Sequence, residues 1–238
     1  MISIKNIALF KKSFEAISLL IDETNVRFKS SGIFIKAVDK TQILLVEFEF
    51  PKTAFDTYVV EPNLVGLNIL ELYNMVSRSF DKDKLQLELK DNNIDINLSG
   101  VIKRKFNLPY RDISDSEITI PSISYDCEIH VSGYLLKEIL KDVSLIGSTL
   151  ILRVQDNKFL IEAQGDHGKL NVVVPKAKVK SKKDSFAKFS VAYLKKIVKS
   201  IDNETNVLLK LKGDSPLFIS YDIENKVKIS IYLSPMLI

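Results

Sequence analysis

Apolar residues recur along this chain in two rhythms. Helical spacing of three and four appears four times. Residues 8–21 carry Phe10, Phe14, Ile17 and Ile21 on one stripe, and residues 67–80 carry Ile69, Leu72, Tyr73, Val76 and Phe80. Residues 133–147 repeat it with Leu136, Ile139, Leu140 and Val143, and residues 190–201 with Leu194, Ile197, Val198 and Ile201. Ser190 stands where an N-cap belongs, and Gly147 where a helix would stop. After each predicted helix the rhythm switches to alternation on both sides of a polar turn, over 25–38, 85–98, 150–163 and 207–221. A third alternating run closes each unit, at 43–50, 103–108, 169–174 and 228–233.

The helix starts fall near 8, 67, 133 and 190, so units one and three, and units two and four, are offset by about 125 and 123 residues. That spacing predicts two similar halves, residues 1–110 and 125–238, each made of two αβββ units. Residues 111–124, rich in Ser and acidic side chains and containing Pro121, read as the linker. A helix with one apolar stripe must lie on a sheet. Lys29, Lys36, Glu47 and Glu49 alternate outward, so the sheets present a solvated face. The expected class is α+β, with helices on one side and antiparallel sheets on the other. If the halves associate as successive units do, strands 103–108 and 169–174 remain as free edges. Free edges are liabilities, and a head-to-tail contact between chains would cover them and can close a ring.

Composition narrows the chemistry. The 238 residues are 46% hydrophobic and 27% charged, with eight Gly and seven Pro, which excludes disordered and collagen-like chains. The single cysteine, Cys127, allows no internal disulfide and no thiolate cluster, so a reducing, intracellular setting is expected. MISIKNIALF lacks a signal-peptide core and no long apolar run follows, so neither secretion by that route nor a membrane span is expected. His130 and His167 have no Cys or His neighbour at ligand spacing, and Asp39, Asp142, Asp166 and Asp222 lie at no motif spacing. No phosphate-cradling glycine loop, nucleophile elbow or HExxH is present. The reading is a non-enzyme with no catalytic residues, no metal and no cofactor.

Net charge is only +4, so the placement of the basic residues carries the information. The predicted helices hold Lys11, Lys12, Arg78, Lys137, Lys141, Lys195, Lys196 and Lys199, against Glu15, Glu71, Glu138 and Asp142. Lys137 and Lys141, and Lys195 and Lys199, are like charges four apart, a spacing that slightly destabilises an isolated helix. Two readings stay open: solvated helix faces, or a surface that meets a polyanion. No aromatic interleaves with these lysines, so contact would be to phosphates and independent of base sequence. Residues 175–184, PKAKVKSKKD, read as a basic loop, either solvated or an accessory electrostatic contact.

Four stretches together resemble one family: DETNVRFKSSGIFIKAVDKTQILLVEFEFP, IPSISYDCEI, VSGYLLKEILKDVSLIG and PLFISYDIENKVKISIYLSPML. They are similar, collinearly and over essentially the whole chain, to the proliferating cell nuclear antigen family of DNA sliding clamps, in its archaeal form. The resemblance implies a trimeric ring with helices inside and sheets outside, sliding on double-stranded DNA and opened by an ATP-dependent clamp loader. It implies that the eight basic residues face the duplex. It also implies tethering of replicative DNA polymerase, flap endonuclease and DNA ligase through PIP-box peptides.

Matched to the family's peptide pocket are Val38, Gln42, Ile43 and Leu45, then Ile118, Ile120 and Pro121, then Pro216, Tyr232, Leu233, Ser234 and Pro235. For Ile43 and Leu45 a core role competes; Ile118 and Ile120, in a polar linker, read as an exposed apolar site. Arg104, Phe106, Leu108, Leu170, Val172 and Val174 are the candidate subunit contacts on the two free edges. The resemblance places the protein in the cytoplasm with the nucleoid, or in the nucleus of a eukaryote, with no membrane partner. Three features depart from the family: Met236, Leu237 and Ile238 replace the usual basic tail, the chain is basic overall, and nothing separates a homotrimer from a heterotrimer. A checkpoint-type ring and a scaffold without DNA contact are the alternatives.

Overall fold

The computed structural model describes residues 1–115, 117–120 and 122–237. Two compact units emerge. The first comprises Met1–Gln42, Val46–Ile118 and Asp222–Ile229; the second comprises Ile43–Leu45, Thr119–Tyr221 and Ser230–Ile238.

In chain order the first half contains β1 (Ile2–Ile4), α1 (Ile7–Ser18), β2 (Glu23–Lys29), β3 (Gly32–Val38), β4 (Leu44–Pro51), β5 (Thr57–Tyr58), β6 (Asn63–Asn68), α2 (Ile69–Ser77), β7 (Lys84–Leu89), β8 (Asn93–Ser99) and β9 (Arg104–Pro109). Its strands follow the orders β5-β1-β7-β8-β9 and β4-β3-β2-β6. The second half contains β10 (Cys127–Ser132), α3 (Gly133–Ile146), β11 (Thr149–Gln155), β12 (Lys158–Gly165), β13 (Gly168–Val173), β14 (Lys178–Ser181), β15 (Ser185–Ser190), α4 (Val191–Lys199), β16 (Asn206–Leu211), β17 (Leu217–Ile223) and β18 (Val227–Leu233). Here the orders are β14-β10-β16-β17-β18 and β13-β12-β11-β15. The two halves thus repeat one strand order, as the sequence offsets predicted.

The repeating unit is βαβββ rather than αβββ. β6, β10 and β15 each lead directly into a helix, β1 reaches α1 through Lys5 and Asn6, and the residue before each helix takes the cap position. Asn68 Oδ1 accepts from Glu71 N at 2.8 Å and Ser132 Oγ from Leu135 N at 3.3 Å. In the first unit Asn6 plays the same part for α1, accepting from Leu9 N at 3.1 Å. Ser190 occupies the cap position of α4 but makes no side-chain capping bond. Gly147 ends α3 in an extended conformation. Residues 178–181 of the expected basic loop are a strand, β14.

α1 packs on α2 and α3 on α4, each pair with its apolar stripe turned inward. In the first unit the stripe meets a run of rings: Phe10 stacks on Phe14 at 4.4 Å, Phe14 meets Phe48 edge-on at 5.6 Å, and Phe50 meets Phe55 at 4.6 Å. The second unit relies on aliphatic residues such as Ile139, Val143, Leu194 and Ile197, with Phe159 and Phe189 fully buried. Phe80 departs from the predicted stripe: it is 49% exposed, with the Arg104 guanidinium 4.9 Å from its ring centre.

Candidate nucleic-acid interface

The eight helix-associated basic residues divide by accessibility. Arg78, Lys141, Lys195, Lys196 and Lys199 are exposed; Lys11, Lys12 and Lys137 are half-buried. Lys11 Nζ donates to Ser79 O at 3.4 Å and lies 3.9 Å from Asp81, so the segment after α2 holds part of its charge. Lys141 pairs with Glu138 at 2.6 Å, and that hydrogen bond raises its pKa, which keeps it protonated. The pairing also offsets the Lys137–Lys141 repulsion expected from spacing. On α4, Lys196 and Lys199 occupy the last turn, where the helix dipole favours cations.

Aromatic residues do accompany these cations. Tyr134, half exposed, opens α3, and Lys196 sits 5.8 Å from the centre of the Tyr193 ring. The signal was visible in GYLLK and AYLKK: a tyrosine one turn or less from each lysine pair. Among the described residues no group of three or more His, Cys, Asp or Glu is placed to hold a metal, and no helix is long and apolar enough to cross a membrane.

The partner-peptide candidates fall into both units. In the first, Val38, Gln42 and Ile118 line one pocket of about 600 Å³ together with Ile113, Asp115 and Arg27. An Asp39 turn shapes its rim: Gln42 N donates to Asp39 O at 2.9 Å, and Gln42 takes a left-handed φ of 59°. The linker is pinned on the opposite rim, where Asn25 Nδ2 donates to Ile113 O at 3.1 Å and Arg27 pairs with Asp115 at 2.6 Å.

In the second unit Ser234 N donates to Ile43 O at 2.9 Å, and Tyr125 Oη donates to Pro216 O at 3.0 Å. Tyr232 meets Phe218 edge-on at 5.2 Å. Ile43 is exposed, while Leu45, Ile120, Pro216, Tyr232, Ser234 and Pro235 are half-buried. Leu233 is fully buried and belongs to the core, because alternation along β18 turns it inward. Pro121 lies outside the described residues.

The two edge strands stand where alternation placed them. β9 bonds only β8, and β13 only β12, among the described residues. On β9, Arg104 pairs with buried Asp83 at 3.6 Å and Phe106 is half-buried. Lys105 and Asn107 converge on Asp95 at 3.1 and 3.0 Å, and the Lys105 bond holds that carboxyl below the usual range. Leu108 is fully buried, so its side chain faces its own core rather than a neighbour. Leu170 and Val172 are half-buried on β13. Val174 is buried beyond the strand end, its N–H donating to Phe159 O at 2.9 Å, and offers no outward contact. Val173, 53% exposed, is an edge residue the pattern did not single out.

Comparison with known proteins places this geometry. Residues 2–128 match the family described as proliferating cell nuclear antigen, N-terminal domain, and residues 119–236 match its C-terminal domain. A DNA polymerase sliding clamp of Methanococcus vannielii is 30% identical over 236 residues, covering 95% of this chain and 94% of the relative. The crystal structure of a proliferating cell nuclear antigen from Thermococcus kodakaraensis superposes with a TM-score of 0.92 at 22% identity, covering 99% of both chains. One chain of a complex of two such antigens from Sulfolobus tokodaii superposes at 0.88 with 19% identity, covering 98% of each. The chain therefore belongs to the proliferating cell nuclear antigen family, the DNA polymerase sliding clamps.

Proposed function

We propose that three copies of this chain close into a ring around duplex DNA and tether replication and repair enzymes to it. The observation that carries this reading is that β9 in one unit and β13 in the other each bond a single strand among the described residues. A head-to-tail ladder of β9 on the next copy's β13 satisfies both, and such contacts repeat until the rotation closes them. Phe106, Leu170 and Val172 lie half-buried on these strands and supply the apolar part of the joint.

In this reading the exposed cations, Arg78 after α2, Lys141 on α3 and Lys195, Lys196 and Lys199 on α4, meet phosphates. Each contact is exposed and therefore weak, which suits sliding: a cation exchanges between phosphates without a sequence-dependent barrier. Retention then comes from closure rather than affinity. The clamp performs no bond chemistry, and an ATP-dependent loader supplies the work of opening. Val38, Gln42 and Ile118, which line the pocket of the first unit, receive the apolar and glutamine side chains of partner peptides. Polymerase, flap endonuclease and ligase are the expected carriers, in the compartment that holds the chromosome.

Light scattering of the purified chain tests the ring: a mass of three subunits is expected, and a monodisperse monomer at micromolar concentration overturns the homotrimer. Loading onto nicked circular duplex tests the clamp. Retention should be lost when the circle is linearised, and equal retention on both forms would overturn topological holding.

A further inference from the structure

β14 bonds β10 on one side and no strand on the other among the described residues. Around it the sequence reads PKAKVKSKKD. Lys176, Lys178, Lys180 and Lys182 are exposed, while Ala177, Val179 and Ser181 turn inward. Alternate residues on a strand stand about 6.6 Å apart on one face, so Lys178 and Lys180 share one face of the open-edged strand, with Lys176 in the turn before it and Lys182 in the bend after it.

Two acids beside these lysines are already engaged. Glu128, directly across from Lys180, contacts Lys210 at 4.0 Å and His130 at 3.2 Å. Asp126 pairs with Lys183 at 3.5 Å. The four lysines make no ion pair among the described residues. The strand itself is held firmly from within, where Ser181 Oγ bonds Asn157 Oδ1 at 2.7 Å and Cys127 Sγ donates to Lys183 O at 3.3 Å. Beside them lies a pocket of about 480 Å³, lined by Ile123 and Tyr125 with Lys180, Lys182 and Lys210 and with the engaged carboxylates Asp126 and Glu128.

We propose that the free edge of β14 docks an extended acidic peptide as an added strand, its Asp or Glu side chains alternating opposite the lysines and one apolar side chain entering the Ile123–Tyr125 pocket. Main-chain groups along the edge supply affinity, and opposite charges across the new ladder set register. The same lysines repel a second copy of this lysine-rich strand, so the edge is closed to self-pairing and open to an acidic one. A nucleic acid fits less well. It has no peptide backbone to complete the ladder. Only the identity of the carrier rests on the clamp reading: a tethered client with an acidic tail would gain a second contact at high effective concentration.

The test uses the whole chain without DNA. The probe is a labelled peptide of about ten residues alternating Glu and Thr around one Leu, with a block-Glu peptide of equal composition as control. The alternating peptide should bind at least about fivefold more tightly, because only it can set acids in register with both Lys178 and Lys180 while keeping the alternate positions of the added strand uncharged. Amide exchange at residues 178–181 should slow when it binds. The double variant Lys178→Glu, Lys180→Glu should weaken it by about tenfold or more with its melting temperature unchanged. Equal affinity for the two peptides, or binding without slowed exchange, overturns the added strand in favour of diffuse charge attraction. No binding means that the lysines only guard the edge, which overturns the proposal. A larger variant-dependent loss for oligothymidylate than for the peptide assigns these lysines to nucleic acid instead. Retention on circular DNA is read separately, so failure here leaves the clamp reading standing, and the reverse holds too.

Discussion

Gly66 and Arg111 form an isolated antiparallel bridge in the first unit, with Arg111 N donating to Gly66 O at 2.9 Å. A Cβ at Gly66 would collide with Arg111 O, so only glycine lets the start of the linker lie this close to β6. Arg111 then reaches Glu71 at 3.3 Å and Glu23 at 3.6 Å. Gly66→Ala should therefore cost about 1–3 kcal/mol by forced displacement of backbone. It should also make residues 111–120 more susceptible to limited proteolysis. A urea midpoint and cleavage pattern equal to the parent's would show that the linker is not restrained by this bridge.

The accessibility of the helix cations ranks their effect on DNA. Lys141, Lys195 and Lys199 are exposed, whereas Lys11 is half-buried and shares its charge with Ser79 O and Asp81. Replacing the first three with Glu should flatten the salt dependence of duplex binding by roughly 0.9 for each phosphate that is no longer neutralised. Lys11→Ala should change the slope less than Lys195→Ala. A larger effect from Lys11 would mean that its tether breaks when DNA is present and that the exposed row is not the surface the phosphates meet.

Much of this fold could be read from periodicity because its stripes are long and its turns polar. Phe10, Phe14 and Ile17, or Leu136, Ile139 and Leu140, leave no reading but a helix with one buried face. The strands before the helices were hidden for a local reason. β1 is only three residues, and Asn68, Ser132 and Ser190 end a strand at the cap position of a helix with no loop between, so two patterns merge. β14 was obscured by its own lysines, since Ala177, Val179 and Ser181 give a weak inward rhythm. Within the candidate sites, residue type was legible and direction was not. Leu108 and Leu233 sit in the expected strands but point into the core, and the Lys11–Ser79 tether joins residues far apart in sequence.

Tyrosine burial makes the protein sensitive to alkali. Burial pushes Tyr58, Tyr125 and Tyr221 up to about 12. In the unfolded chain a tyrosine titrates near 10. Between these values the unfolded state loses its protons first, so stability is intact below about pH 10 and falls as pH rises towards 12. With no tryptophan in the chain, absorbance near 295 nm reports tyrosinate directly. A late-titrating fraction should appear in the folded protein and vanish in urea. Tyr221→Phe should shrink that fraction and cost about 1 kcal/mol through loss of its 3.3 Å bond with Ser200.

Cys127 offers a readout of integrity. It is buried in β10, and desolvation pushes its thiol up to about 11, so at neutral pH it is protonated and shielded. A maleimide should label the native chain slowly and label one thiol promptly after denaturation. Rapid native labelling at pH 7 would indicate that the β10–β14 region opens far more readily than its hydrogen bonds imply.

Leu233 and Ile118 separate the core from the partner site. Both are apolar and both match the expected peptide pocket, yet Leu233 is fully buried and Ile118 lines the open pocket with Val38 and Gln42. Leu233→Ala should cost about 2–5 kcal/mol of stability as a cavity, and any loss of peptide binding should track unfolding. Ile118→Ser should leave the melting temperature near the parent's while weakening binding of a glutamine- and aromatic-bearing peptide by about 1–2 kcal/mol or more, the size of a hot spot. If Ile118→Ser binds the peptide as the parent does, then the first-unit pocket is not where clients dock, whatever Leu233→Ala does to the fold.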